Sequence, residues 1–174
     1  KKYGIQSKTH VNQFNSIGGV EASVKLGALS VDHLEEMKEE DFISLENSEC
    51  MPTILPSCSF FLGIPYGPAT KMIERGLPVA LATDYNPGSS PSGNMNLVAS
   101  LGCTQMKMTP EQVINATTIN TAYAMGVEKE LGSICVGKKA NLFITKEIPS
   151  YSYLSYSFGE NLINKVIING KITA

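Results

Sequence analysis

The sequence lacks the features that mark several large classes of protein. No run of apolar residues approaches the roughly 20 that a membrane-spanning helix needs, and no segment of signal-peptide type follows Lys1. The 14 Lys and Arg residues form no basic cluster and are outnumbered by 16 Asp and Glu residues, which gives a net charge of −2. These absences argue against nucleic acid and membranes as partners and predict a cytoplasmic protein.

Paired cysteines and nucleotide-binding motifs are also absent. The chain has no C-x-x-C pair, so it indicates neither a zinc ribbon nor a redox dithiol. It has no G-x-G-x-x-G run and no Walker A run, which argues against nucleotide binding. We expect the four cysteines to be buried free thiols: Cys50, Cys58, Cys103 and Cys135.

The residues that are present predict an α/β protein. A hydrophobic content of 43% over 174 residues is enough for a sizeable core. Strand-like segments at 5–11, 28–31, 51–55 and 79–83 alternate with helical or loop segments, which is typical of parallel βα units. Further on, helices are predicted after residue 90, with Thr109-Pro110-Glu111-Gln112 as a capping box, and β-structure in the tail, with a hairpin turn at Asn169-Gly170.

Four βα units are half of a closed (β/α)₈ barrel. An open half would leave two bare strand edges, which natural proteins avoid or cover. Two arrangements therefore remain open, a doubly wound sheet and the C-terminal half of a larger protein. The absence of an initiator Met before Lys1 favours the second.

Three polar side chains are predicted to meet at one edge of this sheet. The only two histidines, His10 and His33, each lie where a strand should end, and Asp84 follows the fourth strand. Because parallel strands end at the same edge, a shared site is expected there. Imidazole and carboxylate suit Zn²⁺ or iron, although catalytic zinc usually has at least three protein ligands. The alternatives are a structural histidine, a helix cap at Asp84 and an ordinary turn at 86–89.

The same segments resemble a known family. Residues 8–13 (KTHVNQ), 30–34 (SVDHL) and 82–90 (ATDYNPGSS) are similar to the C-terminal portion of the imidazolonepropionase family of amidohydrolases. The resemblance extends over nearly the whole chain. Segments 116–124 (ATTINTAYA) and 131–138 (LGSICVGK) are shared by many amidohydrolases and speak only for the superfamily.

The resemblance implies both a fold and an activity. The chain would hold strands five to eight of a metal-dependent-hydrolase TIM barrel in residues 1–130, and the C-terminal part of a small β-sandwich in residues 131–174. The activity would be hydrolysis of the cyclic amide of 4-imidazolone-5-propanoate to N-formimidoyl-L-glutamate in histidine degradation, with one Zn²⁺ or iron ion per active site. The family's H-x-H ligand pair is missing here. We therefore expect an inactive fragment, whose partner is the N-terminal half of the same enzyme, and a homodimer when intact.

Roles for individual residues also follow from the resemblance. His10 and Asp84 match metal ligands, and His33, Asp84 and Gln13 match catalytic residues. Contacts to the imidazolone and its propionate fall on Gln13, Asn86, Gly88 and Ser89, and the backbone N–H groups of Gly88 and Ser89 are expected to donate to the propionate. Gln13 stands where many members have glutamate, and because an amide cannot take a proton as a carboxylate does, it is expected to act by hydrogen bonding.

Asp32, next to His33, and the alternatives to this hydrolase remain to be considered. Asp32 should point away from the face that His33 uses, because side chains alternate along a strand. The competing functions are another amidohydrolase, such as a purine or cytosine deaminase, and a non-catalytic α/β module that binds a small anionic metabolite. The loop at 86–90 favours a substrate with a carboxylate.

Overall fold

Four short parallel strands form the main sheet in the computed structural model, which describes residues 5–173. The strands are β1 (Lys8–Val11), β2 (Ser30–His33), β3 (Met51–Ile54) and β4 (Ala80–Leu81), and they lie side by side in chain order. The predicted parallel βα arrangement is confirmed. A doubly wound sheet reverses its strand order at a switch point, and this order does not reverse, so that alternative is wrong.

The register of the strands aligns their polar residues. His10 lies opposite Asp32, Asp32 opposite Thr53, and Thr53 opposite Ala80. Because all four strands run in one direction, their carboxyl ends meet at one edge of the sheet. Among residues 5–173, β1 and β4 each pair with a single strand, so both outer edges of this sheet are open.

Within residues 5–173, seven helices lie between the strands of the parallel sheet or between that sheet and the C-terminal segment. The helix that follows β3 directly, α3 (Pro56–Leu62), was not predicted, although Pro56 at its first position and Gly63 with φ 67° at its end are ordinary start and stop signals. None of the helices within residues 5–173 is long and apolar enough to cross a membrane. The helices are α1 (Gly19–Leu26), α2 (Glu39–Glu46), α3 (Pro56–Leu62), α4 (Ala69–Glu74), α5 (Met95–Thr104), α6 (Pro110–Thr117) and α7 (Ile119–Ala124).

The main core lies between one face of the sheet and the helices. Val31, Ile54 and Leu81 are fully buried there. Each such side chain stabilises the fold by about 1.5–3 kcal/mol relative to its exposed state. Helix residues complete this core, among them Val20, Phe42, Leu45, Met72, Val98 and Val113. A smaller cluster forms where Ala124 and Tyr123 of α7 pack against Met51 and Ala80.

The C-terminal segment forms a second, antiparallel sheet. Strands β5 (Leu142–Thr145), β6 (Ile163–Ile168) and β7 (Lys171–Ile172) pair in chain order. The predicted hairpin turn is confirmed: Asn169 and Gly170 have φ of 50° and 77°, the left-handed pair that a two-residue type I′ turn needs. A short helix, α8 (Tyr153–Tyr156), precedes β6 and packs against α5, where the Ser100 hydroxyl donates to the Ser155 carbonyl at 2.5 Å.

The capping box of α6 provides a test of the local interactions in the fold. Thr109 Oγ1 accepts the Gln112 backbone N–H at 3.3 Å, and Gln112 Oε1 accepts the Thr109 N–H at 2.8 Å. We expect Thr109→Ala to lower the free energy of unfolding by about 1 kcal/mol, because a backbone donor loses its partner. Thr109→Ser keeps the hydroxyl and serves as the control. Denaturant unfolding with equal midpoints for both variants would contradict this assignment.

Candidate metal centre at the carboxyl edge of the sheet

Three residues with metal-ligating side chains meet at the edge predicted from the sequence. His10, His33 and Asp84 each offer a donor atom, and these atoms all lie within 4.8 Å of one another. The two imidazole rings are tilted, with centroids 5.1 Å apart. The side chain of His10 is 62% exposed whereas that of His33 is 6% exposed, so the cluster joins the sheet interior to an open surface.

The backbone at the strand ends takes a conformation that most side chains avoid. His33 has φ 91°, Leu34 φ 68°, Asp84 φ 53° and Asn12 φ 59°, all in the left-handed region. Each such non-glycine residue costs on the order of 1–3 kcal/mol and persists only where the surrounding structure holds it. This strain is concentrated in the residues that carry or adjoin the cluster.

The orientation expected for Asp32 is wrong. Asp32 Oδ2 lies 3.8 Å from His10 Nε2, so its carboxylate faces the cluster, and its Oδ1 accepts the Ser30 hydroxyl at 2.8 Å. The expectation assumed extended backbone through His33. Because His33 instead has φ 91°, strand alternation does not hold at that residue, and both neighbours reach His10.

Glu35 is a buried acid behind the cluster that the sequence reasoning missed. Its side chain is 1% exposed, and its Oε1 lies 3.6 Å from His33 Nδ1 and accepts the Ser59 hydroxyl at 3.0 Å. Glu35 Oε2 and His33 Nδ1 have no hydrogen-bond partner among the residues described. The sequence did contain a sign of this contact, because Glu35 is an acid two residues beyond His33. The turn at His33 and Leu34 brings its carboxylate back to the imidazole.

Gln13 contacts a thiol that the sequence reasoning did not connect to the site. Its Nε2 donates to Cys58 Sγ at 3.4 Å. Burial raises the pKa of Cys58 to about 11; the Asp84 and Glu35 carboxylates act in the same direction, and the Ser89 hydroxyl opposes them. Cys58 therefore lies among three residues of the predicted site, Gln13, Asp84 and Ser89.

The loop after Asp84 is hydrogen-bonded to itself. The backbone N–H groups of Gly88 and Ser89, predicted as donors to a substrate anion, both donate to Asn86 Oδ1 at 2.8 Å. Asn86 Nδ2 donates to the Asp84 carbonyl at 2.6 Å, and the Ser89 hydroxyl lies 3.4 Å from Asp84 Oδ2. The free donors expected from the sequence are thus occupied, because an Asn side chain readily closes such a turn.

The donors present fit a divalent metal ion. Two imidazoles and a carboxylate are ligand types that zinc and non-haem iron prefer. Their mutual separations of at most 4.8 Å are short enough for one ion to contact all three. Closed zinc sites have four protein ligands, so this set is either an open site or part of a larger one.

Nearly the whole chain is similar to known proteins. The family model described as the amidohydrolase family matches residues 1–173. The chain is 62% identical over 170 residues to an imidazolonepropionase of Flavobacterium johnsoniae, covering 98% of this chain and 41% of the relative. It is 61% identical over 172 residues to an imidazolonepropionase of Christiangramia forsetii, covering 99% and 42%. The chain thus spans about two fifths of the length of these curated relatives.

A solved structure shares the fold at low sequence identity. The chain superimposes on an adenosine deaminase from Xanthomonas campestris with bound zinc at a TM-score of 0.82. The two are 19% identical, and the match covers 98% of this chain and 46% of the deaminase. At this identity the likeness concerns the fold.

Thiol labelling provides a test of the geometry around Cys58. Cys50 and Cys58 are buried as expected, whereas Cys103 is half-buried and Cys135 is exposed, so the expected burial of Cys135 is wrong. Burial raises the pKa of both buried thiols to about 11. Because the thiolate is the reactive form, iodoacetamide at about pH 8 should alkylate Cys135 rapidly and leave both buried thiols intact until denaturant is added. Mass spectrometry of the three peptides measures this. Labelling of Cys58 in the native protein at the rate of Cys135 would contradict its placement.

Proposed function

Because this chain belongs to the amidohydrolase family, we propose that it is the C-terminal part of a metal-dependent cyclic amide hydrolase. The substrate proposed is 4-imidazolone-5-propanoate and the product N-formimidoyl-L-glutamate, a step of histidine degradation. The cluster of His10, His33 and Asp84 beside the 86–90 loop carries this proposal. The relatives named imidazolonepropionase, at up to 62% identity over nearly the whole chain, support the choice of substrate.

His10 and Asp84 are the proposed metal ligands in this chain. One Zn²⁺ or iron ion would be held by these two side chains together with ligands from the part of the protein that precedes this chain. Such an ion, when bound, lowers the pKa of a coordinated water to about 7. The zinc in the structurally similar deaminase supports a divalent metal in this fold.

Asp84 and His33 are the proposed catalytic residues. A carboxylate oxygen of Asp84 takes a proton from the attacking water while the water oxygen adds to the ring carbonyl carbon. Asp84 later gives that proton to the leaving ring nitrogen. His33 donates a hydrogen bond to the carbonyl oxygen as negative charge develops there, a contribution of about 3 kcal/mol. The ring C–N bond then breaks, and the former carbonyl carbon stays in the product as a carboxyl group, which loses its remaining proton to solvent.

Gln13 and the 86–90 loop are proposed to orient the substrate. Gln13 would hydrogen-bond the imidazolone ring, and Asn86, Gly88 and Ser89 would bind the propionate. A carboxylate must displace Asn86 Oδ1 from the two backbone N–H groups. Hydrogen bonds to a charged acceptor are roughly twice as strong as neutral ones, so the substrate can compete with this neutral amide oxygen. Binding would therefore turn the Asn86 side chain.

The open surfaces of the chain support a partner that completes it. Both outer strands of the parallel sheet have an unpaired edge within residues 5–173. In the C-terminal segment Ile134 and Val136 are fully or almost fully exposed, beside a cleft of about 790 Å³ between α7 and β5. We propose that the N-terminal half of the same enzyme covers these surfaces. Residues 1–130 would then supply barrel strands five to eight, and residues 131–174 part of a β-sandwich, in a cytoplasmic homodimer.

Turnover of the full-length protein tests this function. We expect loss of imidazolone absorbance and formation of N-formimidoyl-L-glutamate, with no deamination of adenine or cytosine. His33→Leu should lower kcat by about 10²–10³-fold, because it removes a donor to the developing oxyanion. Ser89→Ala should mainly raise KM, and the isolated chain should be inactive. Turnover of a nucleobase but not of imidazolone propionate would replace the proposal with a deaminase.

Metal analysis tests the ligand assignment separately. Full-length protein purified without chelators should contain about one zinc or iron ion per chain. We expect Asp84→Asn to lower that content roughly tenfold or more, since an amide is a weaker ligand than a carboxylate. Glu36→Gln, which changes an exposed acid in the loop after β2, should leave the metal content unchanged. Equal metal content in the two variants would exclude Asp84 as a ligand.

A further inference from the structure

The contact between Gln13 and Cys58 joins the segment after β1 to α3 beside the candidate site. Gln13 follows β1, and Cys58 lies in the first turn of α3, 45 residues further along the chain. Cys58 is 0% exposed, whereas Gln13 is half-buried. The sulfur is therefore held inside the fold, and the Gln13 amide lies between it and the carboxyl edge of the sheet.

The hydrogen bond between these residues has a definite direction. Gln13 Nε2 donates and Cys58 Sγ accepts at 3.4 Å. A sulfur lone pair accepts in this way in both the thiol and the thiolate. The opposite amide orientation would need the S–H proton to point at Gln13, although the Asp84 carboxylate nearby is a stronger acceptor for it. The amide is thus held with Nε2 toward the interior and Oε1 free to face a ligand.

We propose that Cys58 is a positioning residue that fixes the Gln13 amide so that Oε1 accepts a ring N–H of the substrate. This inference rests on the proposed function and deepens it, because it states what Gln13 selects. A ligand with an N–H opposite Gln13 gains a hydrogen bond, whereas one with only a lone pair there faces an acceptor and is rejected. The imidazolone ring carries such an N–H.

A double-mutant cycle in the full-length protein tests the proposal. Cys58→Ala should raise KM for imidazolone propionate by about 3- to 10-fold, the factor that one hydrogen bond supplies, with kcat changed less than about twofold. In a Gln13→Ala background the same substitution should change KM by less than about 1.5-fold, since the group that Cys58 positions is gone. Calorimetric Kd values for N-formimidoyl-L-glutamate should follow the same pattern.

Conservative and matched variants separate positioning from packing. Cys58→Ser keeps an acceptor and should recover most of the affinity, whereas Cys58→Val fills the volume without a lone pair and should behave as Cys58→Ala does. Cys50→Ala removes another buried thiol, one that lines a cleft with Leu77 and Asn120, and should leave KM unchanged. Cys58→Val also serves as the test if Cys58→Ala does not fold.

Three outcomes would overturn the inference. An effect of Cys58→Ala that persists fully in the Gln13→Ala background would show that Cys58 acts through packing or through Asp84. Wild-type affinity in Cys58→Val would show that the sulfur lone pair does not matter. If the wild-type protein fails to turn over imidazolone propionate, the proposed function fails and this inference fails with it. If turnover is normal but the effects of Cys58→Ala and Gln13→Ala simply add, only this inference fails.

Discussion

The candidate site depends on the parallel pairing of β1 with β2, which places His10 opposite Asp32 and Val11 opposite His33. With that register, left-handed turns at Asn12 and His33 bring the side chains that follow each strand back toward the same point. Leu34, itself at φ 68°, is fully buried in the core. Its burial contributes about 1.5–3 kcal/mol, comparable with the roughly 1–3 kcal/mol that a left-handed non-glycine residue costs. Because His33 and Leu34 both take this conformation, the burial of Leu34 offsets only part of the strain in the turn that carries His33.

The positions of the three cluster residues could be predicted because they depend on strand polarity, which the sequence expresses plainly. Apolar segments of strand length, each followed by a turn, place His10, His33 and Asp84 at one edge whatever the details of packing. The surroundings could not be predicted in this way. Asp32 was assigned to the wrong face because strand alternation fails at a residue with positive φ. Cys58 was missed because its contact to Gln13 joins residues 45 positions apart.

The loop at 86–90 contains the hydrogen-bond donors that its residue types predict, but those donors are already bonded within the loop. Its composition correctly indicates a turn rich in donors, but composition does not say where those donors point. Asn86 closes the turn by accepting from Gly88 and Ser89, so the loop is satisfied without a ligand. Under the proposed function, an anion site built in this way would be ordered before binding, and the Asn86 side chain would be the part that moves. The charge of the proposed substrate would then provide selectivity, because a neutral ligand would not displace the amide oxygen.

Under the proposed function, the distribution of metal ligands links chemistry to assembly. His10 lies on β1, and Asp84 lies in the loop after β4. These are the two outer strands of the parallel sheet, and their free edges also need a partner. An ion bound by these residues and by ligands from the N-terminal half favours the joined state over the separated one, because a ligand that binds only the assembled site stabilises it. The metal and the strand edges would therefore act together. Each alone is weak, since two ligands hold an ion poorly and short edge strands bury little surface.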